Sequence, residues 1–359
     1  MNRETSLYLD LWRLSAALTV FLGHVSGARF TDGFLWQFGP YMGQAVTVFF
    51  VLSGFVIGFA TDRRETSAVS YVVARVARVA SVALPALVAT FILDAIGRLA
   101  RPELYSLSWG YVETGGLWQF ISGLLFINHI WFLDVPQGSD LPYWSLGYEV
   151  WYYVIFGIAT FAPAGWRVAG TLACVLFVGP PIAAMFPLWL LGLLSYRICA
   201  RCPPGRCVGT VFCVGSLASS VAYEFWAQRH GRLLDLAPAF LHRPELAQDY
   251  LVGSLFAMHL IGFRAVSPLF GPLLNRLAKP IRWTAGTTFT IYLFHLPVAQ
   301  FLATQVPWAP TAFATRLVIV GGTLGLMFII AEATERRKAL WRRNILALVH
   351  RPANTPAKH

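Results

Sequence analysis

The run LYLDLWRLSAALTVFLGHVSG, residues 7–27, is long and apolar enough to cross a bilayer as a helix, yet it carries Asp10, Arg13 and His24. A helix rises about 1.5 Å and turns about 100° per residue. Arg13 and His24 are therefore about three turns apart, roughly 16 Å along the axis, and project about 20° from one another. Asp10 falls on the same stripe, about 40° from His24. Ionisable groups inside a span usually face a bundle interior or a water-filled path, and they mark function. One polar stripe along a span puts the chemistry within the membrane.

The rest of the chain supplies the bundle that such a stripe needs. Of 359 residues, 57% are hydrophobic and 13% charged, and mean hydropathy is +0.58. That is the composition of an all-α, polytopic membrane protein. Stretches long enough to span a bilayer fall at 7–28, 41–60, 80–99, 117–133, 145–163, 168–199, 207–224, 246–263, 283–303 and 313–333. The sixth is interrupted by Gly179-Pro180-Pro181 and by Pro187, and reads either as one broken helix or as two short ones. With ten spans the basic residues gather on the side of the two termini, among them Arg63, Arg75, Arg197, Arg264, Arg282 and Arg342. That side is expected to be cytoplasmic. Eleven spans would put the basic tail outside. The expected organisation is a membrane domain over 1–335 and a basic cytoplasmic tail over 336–359.

The net charge of +11 is read first as topology, with acidic headgroups or an anionic substrate at the inner face as fitting partners. Nucleic acid is excluded, because no basic block stands clear of the apolar runs. Cys199, Cys202 and Cys207 cluster, but a zinc site needs a fourth ligand and Cys213 lies well into the next apolar run. No metal is expected. The first run is too long and too polar for a cleaved signal peptide. No long soluble segment flanks the spans, so activity is expected in the bundle itself.

Within that bundle His24 has the chemistry of a general base for a hydroxyl; a packing histidine is the plainer alternative. Arg13 taken alone is a headgroup anchor, and the shared stripe draws it towards His24. Arg75 and Arg78, three apart, project from the same side of a helix and suit a phosphate; positive-inside flanking is the alternative. Ser53-Gly54 suits close helix contact, and no base neighbours Ser53 to make it a nucleophile. Glu149 sits among Trp144, Tyr148, Trp151, Tyr152 and Tyr153, where a carboxylate is costly unless paired or used. Orienting His24, binding a sugar hydroxyl and pairing an arginine are all open to it. His295 is a second intramembrane histidine, with Pro297 beside it expected to break the helix. Asn128 is polar near the end of the fourth span. The chain has no Walker loop, GxSxG elbow, HExxH or dinucleotide fingerprint.

These segments together resemble the membrane-bound acyltransferase 3 family of bacterial O-acyltransferases. The first run resembles the family's first span, with Arg13, ten residues, then His24. VFFVLSGFVIG, residues 48–58, is similar to its FFVLSGF segment, and RVAR, residues 75–78, to its Arg-x-x-Arg. WSLGYEVWYY, residues 144–153, resembles WSLSVEEQFY, and TIYLFHLPV, residues 290–298, resembles YLxHxP. Val150 and Trp151 replace the second Glu and the Gln of the pattern, so roles at those positions do not carry over. The resemblance implies a multi-pass enzyme of the inner (plasma) membrane, with no bound cofactor. It implies transfer of an acyl group, usually acetyl, from cytoplasmic acetyl-CoA to a hydroxyl of an exported or lipid-linked saccharide. Arg75 and Arg78, with Arg13, would hold the donor; His24 would take the hydroxyl proton or carry the acyl group; Glu149 would orient. A macrolide-type small-molecule acceptor shares that mechanism. A transporter or flippase also suits broken helices and buried charge, but has no need of this arginine and histidine pattern.

Overall fold

The computed structural model describes residues 1–111, 116–233, 239–241 and 243–349. Among the described residues fifteen α-helices follow one another, with short 3-10 and π turns between them, and no strand is found. They are α1 (Arg3–Val25), α2 (Met42–Arg63), α3 (Ala68–Ala100), α4 (Gly116–Leu124), α5 (Tyr143–Phe161), α6 (Ala164–Val178), α7 (Pro180–Arg201) and α8 (Arg206–His230). Then come α9 (Leu246–Val266), α10 (Gly271–Arg276), α11 (Ala278–Ala285), α12 (Thr288–Gln305), α13 (Phe313–Arg316), α14 (Thr323–Ala333) and α15 (Lys338–Val349). A wider π-type turn, Leu317–Gly322, joins α13 to α14.

Among the described residues six helical stretches are long and apolar enough to cross a membrane: Trp36–Arg63, Ala68–Ala100, Pro180–Arg201, Arg206–His230, Leu246–Arg276 and Phe313–Leu348. The protein is thus an all-helical membrane bundle. α1, α5 and α12 are not among the six, and these are the helices that carry Arg13 and His24, Glu149, and His295. Their polar load is what lowers their apolarity.

Two sequence expectations are corrected and one is resolved. The fourth span, 117–133, is helical only over Gly116–Leu124. Nine residues reach about 14 Å, far short of a hydrocarbon core of about 30 Å. Phe126 and Trp131 then take left-handed backbone (φ 56° and 53°), which disfavours a helix for any side-chain-bearing residue. Pro297 does not break α12, which runs through it. The long sixth stretch is two helices, parted at Gly179 (φ 79°) with Pro180 and Pro181 opening α7. The tail beyond residue 335 begins as α15, which packs along α3.

The helices that hold the site are fixed by local chemistry. Ser67 and Ser70 form a reciprocal cap at the start of α3. Glu335 accepts the Phe289 and Thr290 amides, 3.0 Å each, tying the chain after α14 to the first turn of α12. α2 crosses α7 at two facing glycines: a Cβ on Gly54 would collide with the Trp189 carbonyl, and one on Gly192 with the Val51 carbonyl. Such backbone approach is how membrane helices gain contact area. Gly54→Ala is expected to cost about 1–3 kcal/mol by forcing these backbones apart. Its checks are the thermal midpoint and size-exclusion profile of the purified protein.

Candidate functional site

Two chambers lie in line within the bundle, along the Arg13 and His24 face of α1. The first, about 60 Å³, is lined by Arg13, Ser53, Arg78, Ser145, Glu149 and Tyr292, with Val46, Phe49 and Phe50 among its apolar walls. The second, about 380 Å³, is lined by His24, Trp144, Arg232, Arg243, Glu245 and Tyr292, again with Val46. Val46 of α2 and Tyr292 of α12 thus belong to both chambers and form the partition between them.

The first chamber sets two arginines, Arg13 and Arg78, against one carboxylate, Glu149. Arg13 makes one long contact to Asp10, 3.5 Å, and its Nη2 is buried without a partner. Arg78 has no hydrogen bond or ion pair among the described residues; its guanidinium lies 6.0 Å from the centre of the Phe289 ring. A buried guanidinium nitrogen left without an acceptor, as Arg13 Nη2 is, is costly, so with Arg78 on the same cavity it marks a place for an anion or a polarised carbonyl. On the opposite wall, Ser53 Oγ donates to Glu149 Oε1 at 2.6 Å, and the Tyr153 hydroxyl donates to the same oxygen. Trp189 Nε1 donates to Ser53 Oγ at 3.2 Å. Glu149 is therefore gripped from α2 and α5 and faces the arginines across the chamber.

Arg75 stands apart. It is ion-paired to Glu65 at 2.6 Å and lines a separate apolar groove between α3 and α5. The expectation that Arg75 and Arg78 act as a pair on one side is corrected: three helical residues leave them about 60° apart, enough to send them into different cavities.

In the second chamber His24 Nδ1 lies 3.1 Å from His295 Nε2, and His295 Nδ1 lies 2.7 Å from the Ile291 carbonyl. A carbonyl only accepts, so His295 carries its hydrogen on Nδ1. In a neutral pair His295 Nε2 is then a lone pair, and His24 must donate from Nδ1. The basic nitrogen of His24 is thereby Nε2. This is how a second group fixes the tautomer of a working imidazole. The group that orients His24 is His295, not Glu149, which lies in the other chamber.

The far wall of this chamber joins Trp144 to charged residues that the sequence did not single out. Arg243 bonds both oxygens of Asp249, at 2.6 and 2.8 Å. Burial pulls its guanidinium down, but the Asp249 bonds and the charge of Glu245 outweigh that and raise it. Arg232 donates to the Pro40 carbonyl at 2.6 Å and has Glu224 3.7 Å away. Gly43 makes room: a Cβ there would stand 2.9 Å from Glu245 Oε2 and 3.0 Å from Arg243 Nη2. Trp144 presents its ring 5.7 Å from the Arg243 guanidinium. With each arginine beside a carboxylate, the chamber suits a polar, uncharged ligand.

Of the other sequence candidates, Asp10 sits beside Arg13. Tyr148 and Asn128 line neither chamber. Tyr148 is a core ring packed on Phe50 and Trp144. Asn128 is buried near Gly147 with its amide unpartnered.

Among known families, the model described as an acyltransferase domain matches residues 6–332. No curated protein and no solved structure matches the chain.

Proposed function

Because the chain belongs to the acyltransferase 3 family and is a multi-pass membrane acyltransferase, we propose that it moves an acyl group from a cytoplasmic acyl-CoA to a hydroxyl of an exported saccharide. In this reading the membrane is the inner membrane of a bacterial cell, the arginine chamber opens to the cytoplasm and the histidine chamber to the outer side. The observation that carries the reading is the alignment of two chambers of opposite chemistry across one shared partition. One holds two arginines, with Arg13 Nη2 left without an acceptor; the other holds an imidazole whose Nε2 is left basic by a second histidine.

The chemistry follows from the atoms. Phosphates of the donor pair with cationic groups at the inner mouth, and Arg13 and Arg78 meet the polar groups of the arm, which carries the thioester on towards His24. An acceptor hydroxyl in the histidine chamber gives its proton to His24 Nε2 as its oxygen attacks the thioester carbon. The tetrahedral intermediate collapses by breaking the C–S bond. The thiolate takes the proton from the His24 imidazolium and leaves as CoA, and the acceptor carries the new ester. His24 donates from Nδ1 to His295 throughout, so its ring cannot turn its protonated nitrogen towards the acceptor. A sugar ring finds an aromatic face in Trp144 and a hydroxyl acceptor in Glu245.

The reading is tested on whole cells. Mass spectrometry of envelope saccharides from cells with and without the chain should differ by the mass of one acyl group on the modified sugar. Identical saccharides in the two strains would remove the saccharide as acceptor.

A further inference from the structure

We propose that Glu149 Oε2 and the arginines of the first chamber hold an amide of the donor's pantetheine arm between them, the carboxylate taking its N–H and a guanidinium its carbonyl. This role rests on the transfer reading above and gives Glu149, which that reading leaves without a task, a ligand group. The carboxylate is fixed through one of its oxygens. Trp189 Nε1 can only donate. At 3.2 Å from Ser53 Oγ it fills a lone pair there and leaves the Ser53 proton for Glu149 Oε1, 2.6 Å away. The Tyr153 hydroxyl donates to the same oxygen. Oε1 therefore has both lone pairs engaged, while Oε2 takes no hydrogen bond from any described residue. Glu149 is only partly buried and lines the chamber, so Oε2 is the acceptor left for a ligand.

Across from it stand Arg13 and Arg78. Neither forms an ion pair with Glu149 among the described residues; Arg13 pairs with Asp10, and Arg78 lies against the Phe289 ring. A ligand between these walls needs an acceptor towards the arginines and a donor towards Glu149. A phosphate offers only acceptors at full charge, and that charge repels the carboxylate. A trans amide offers both, with its C=O and N–H pointing to opposite sides. The phosphates of CoA thus stay at the mouth. Its arm, which carries secondary amides, is the part that complements the chamber.

The test uses the full chain purified in detergent, with no acceptor present. It compares the binding of CoA with that of phosphoadenosine diphosphate, the nucleotide end of CoA without its arm. Glu149→Gln keeps the Oε1 acceptor for Ser53 and Tyr153 and puts an amide nitrogen where Oε2 was. Loss of a negative charge alone would tighten the binding of any anion. CoA is instead expected to bind about ten- to hundredfold more weakly, the range for a hydrogen bond to a charged group, with the nucleotide unchanged or tighter. A second measurement leaves the protein intact and serves should the variant fail to elute as a folded protein. It uses CoA analogues in which one or the other arm amide N–H is replaced by an ester oxygen. One of them should bind the wild type at least about tenfold more weakly than CoA, and that penalty should shrink in Glu149→Gln. Equal or tighter CoA binding by the folded variant would overturn the role of Glu149. So would equal weakening of CoA and nucleotide, or two analogues that bind the wild type as CoA does. Each of these leaves the transfer reading standing. Failure of CoA to bind the wild type would overturn the donor assignment and this role with it.

Discussion

His24→Ala is expected to lower acyl transfer by about 10³-fold, within the usual 10²–10⁴ range for removing a general base. At about 1.4 kcal/mol per tenfold this is about 4 kcal/mol of transition-state stabilisation. The loss should appear in kcat, with donor affinity little changed, because the arginine chamber lies on the other side of the partition from His24. Membrane insertion should persist: His24 lines a cavity, so truncation enlarges a wet space and leaves the packed core intact. His295→Phe separates the two roles. It keeps an aromatic of similar bulk at a fully buried position but removes the acceptor for the His24 Nδ1 proton. It should reduce kcat by less than His24→Ala, because the basic imidazole remains and only its orientation is lost. A normal rate in a folded His24→Ala protein would end the assignment.

The second large effect lies in the other chamber. Hydrogen bonds to charged groups contribute about 1.5–3 kcal/mol. Arg78→Gln is therefore expected to weaken acyl-CoA binding by about ten- to hundredfold, and Arg13→Gln by a similar factor. In the empty protein Arg13 Nη2 has no acceptor and only the long Asp10 contact meets the rest of its guanidinium. Both variants should insert and elute as the wild type does, and the thermal midpoint of Arg13→Gln should hold or rise. Arg75→Gln should behave in the opposite way. It strands the buried Glu65 carboxylate, so stability falls while donor affinity changes less than in Arg78→Gln. Restoring charge balance with Glu65→Gln in the same chain should recover much of that stability. Isothermal titration with acetyl-CoA and thermal melts of the four proteins separate the two behaviours.

These contrasts show what a single sequence reveals and where it stops. The alignment of Arg13 with His24 was legible because helical periodicity is local: eleven residues on one helix fix their relation without knowledge of any other element. The glycine contact at Gly54 was legible for the same reason. The partner of His24 was not, since His295 lies 271 residues away and only packing brings the two rings together. Arg243 and Glu245, from the segment ahead of α9, and Tyr292, from α12, were hidden likewise. Hydropathy also misread 117–133. An apolar stretch registers as a span whether it faces lipid or protein, and here its backbone after Leu124 is irregular and folded against the bundle: Trp131 N–H bonds the Val178 carbonyl, and Trp151 Nε1 bonds the Phe126 carbonyl. Irregular backbone within a membrane bundle persists only where protein meets its polar groups. The different directions of Arg75 and Arg78 depended on which cavity each 60° sector of α3 happened to meet, which spacing alone does not encode.

The central claim is that donor and acceptor occupy opposite sides of the membrane and meet across the Val46–Tyr292 partition. Sealed right-side-out vesicles carrying the protein, with radiolabelled acetyl-CoA enclosed and the cell's own envelope saccharide supplied only outside, test it most directly. The account predicts labelled ester on the external saccharide, matched mole for mole by free CoA thiol inside, and neither product with His24→Ala. Ester formation only when the vesicles are opened, so that donor and saccharide share one compartment, would contradict it.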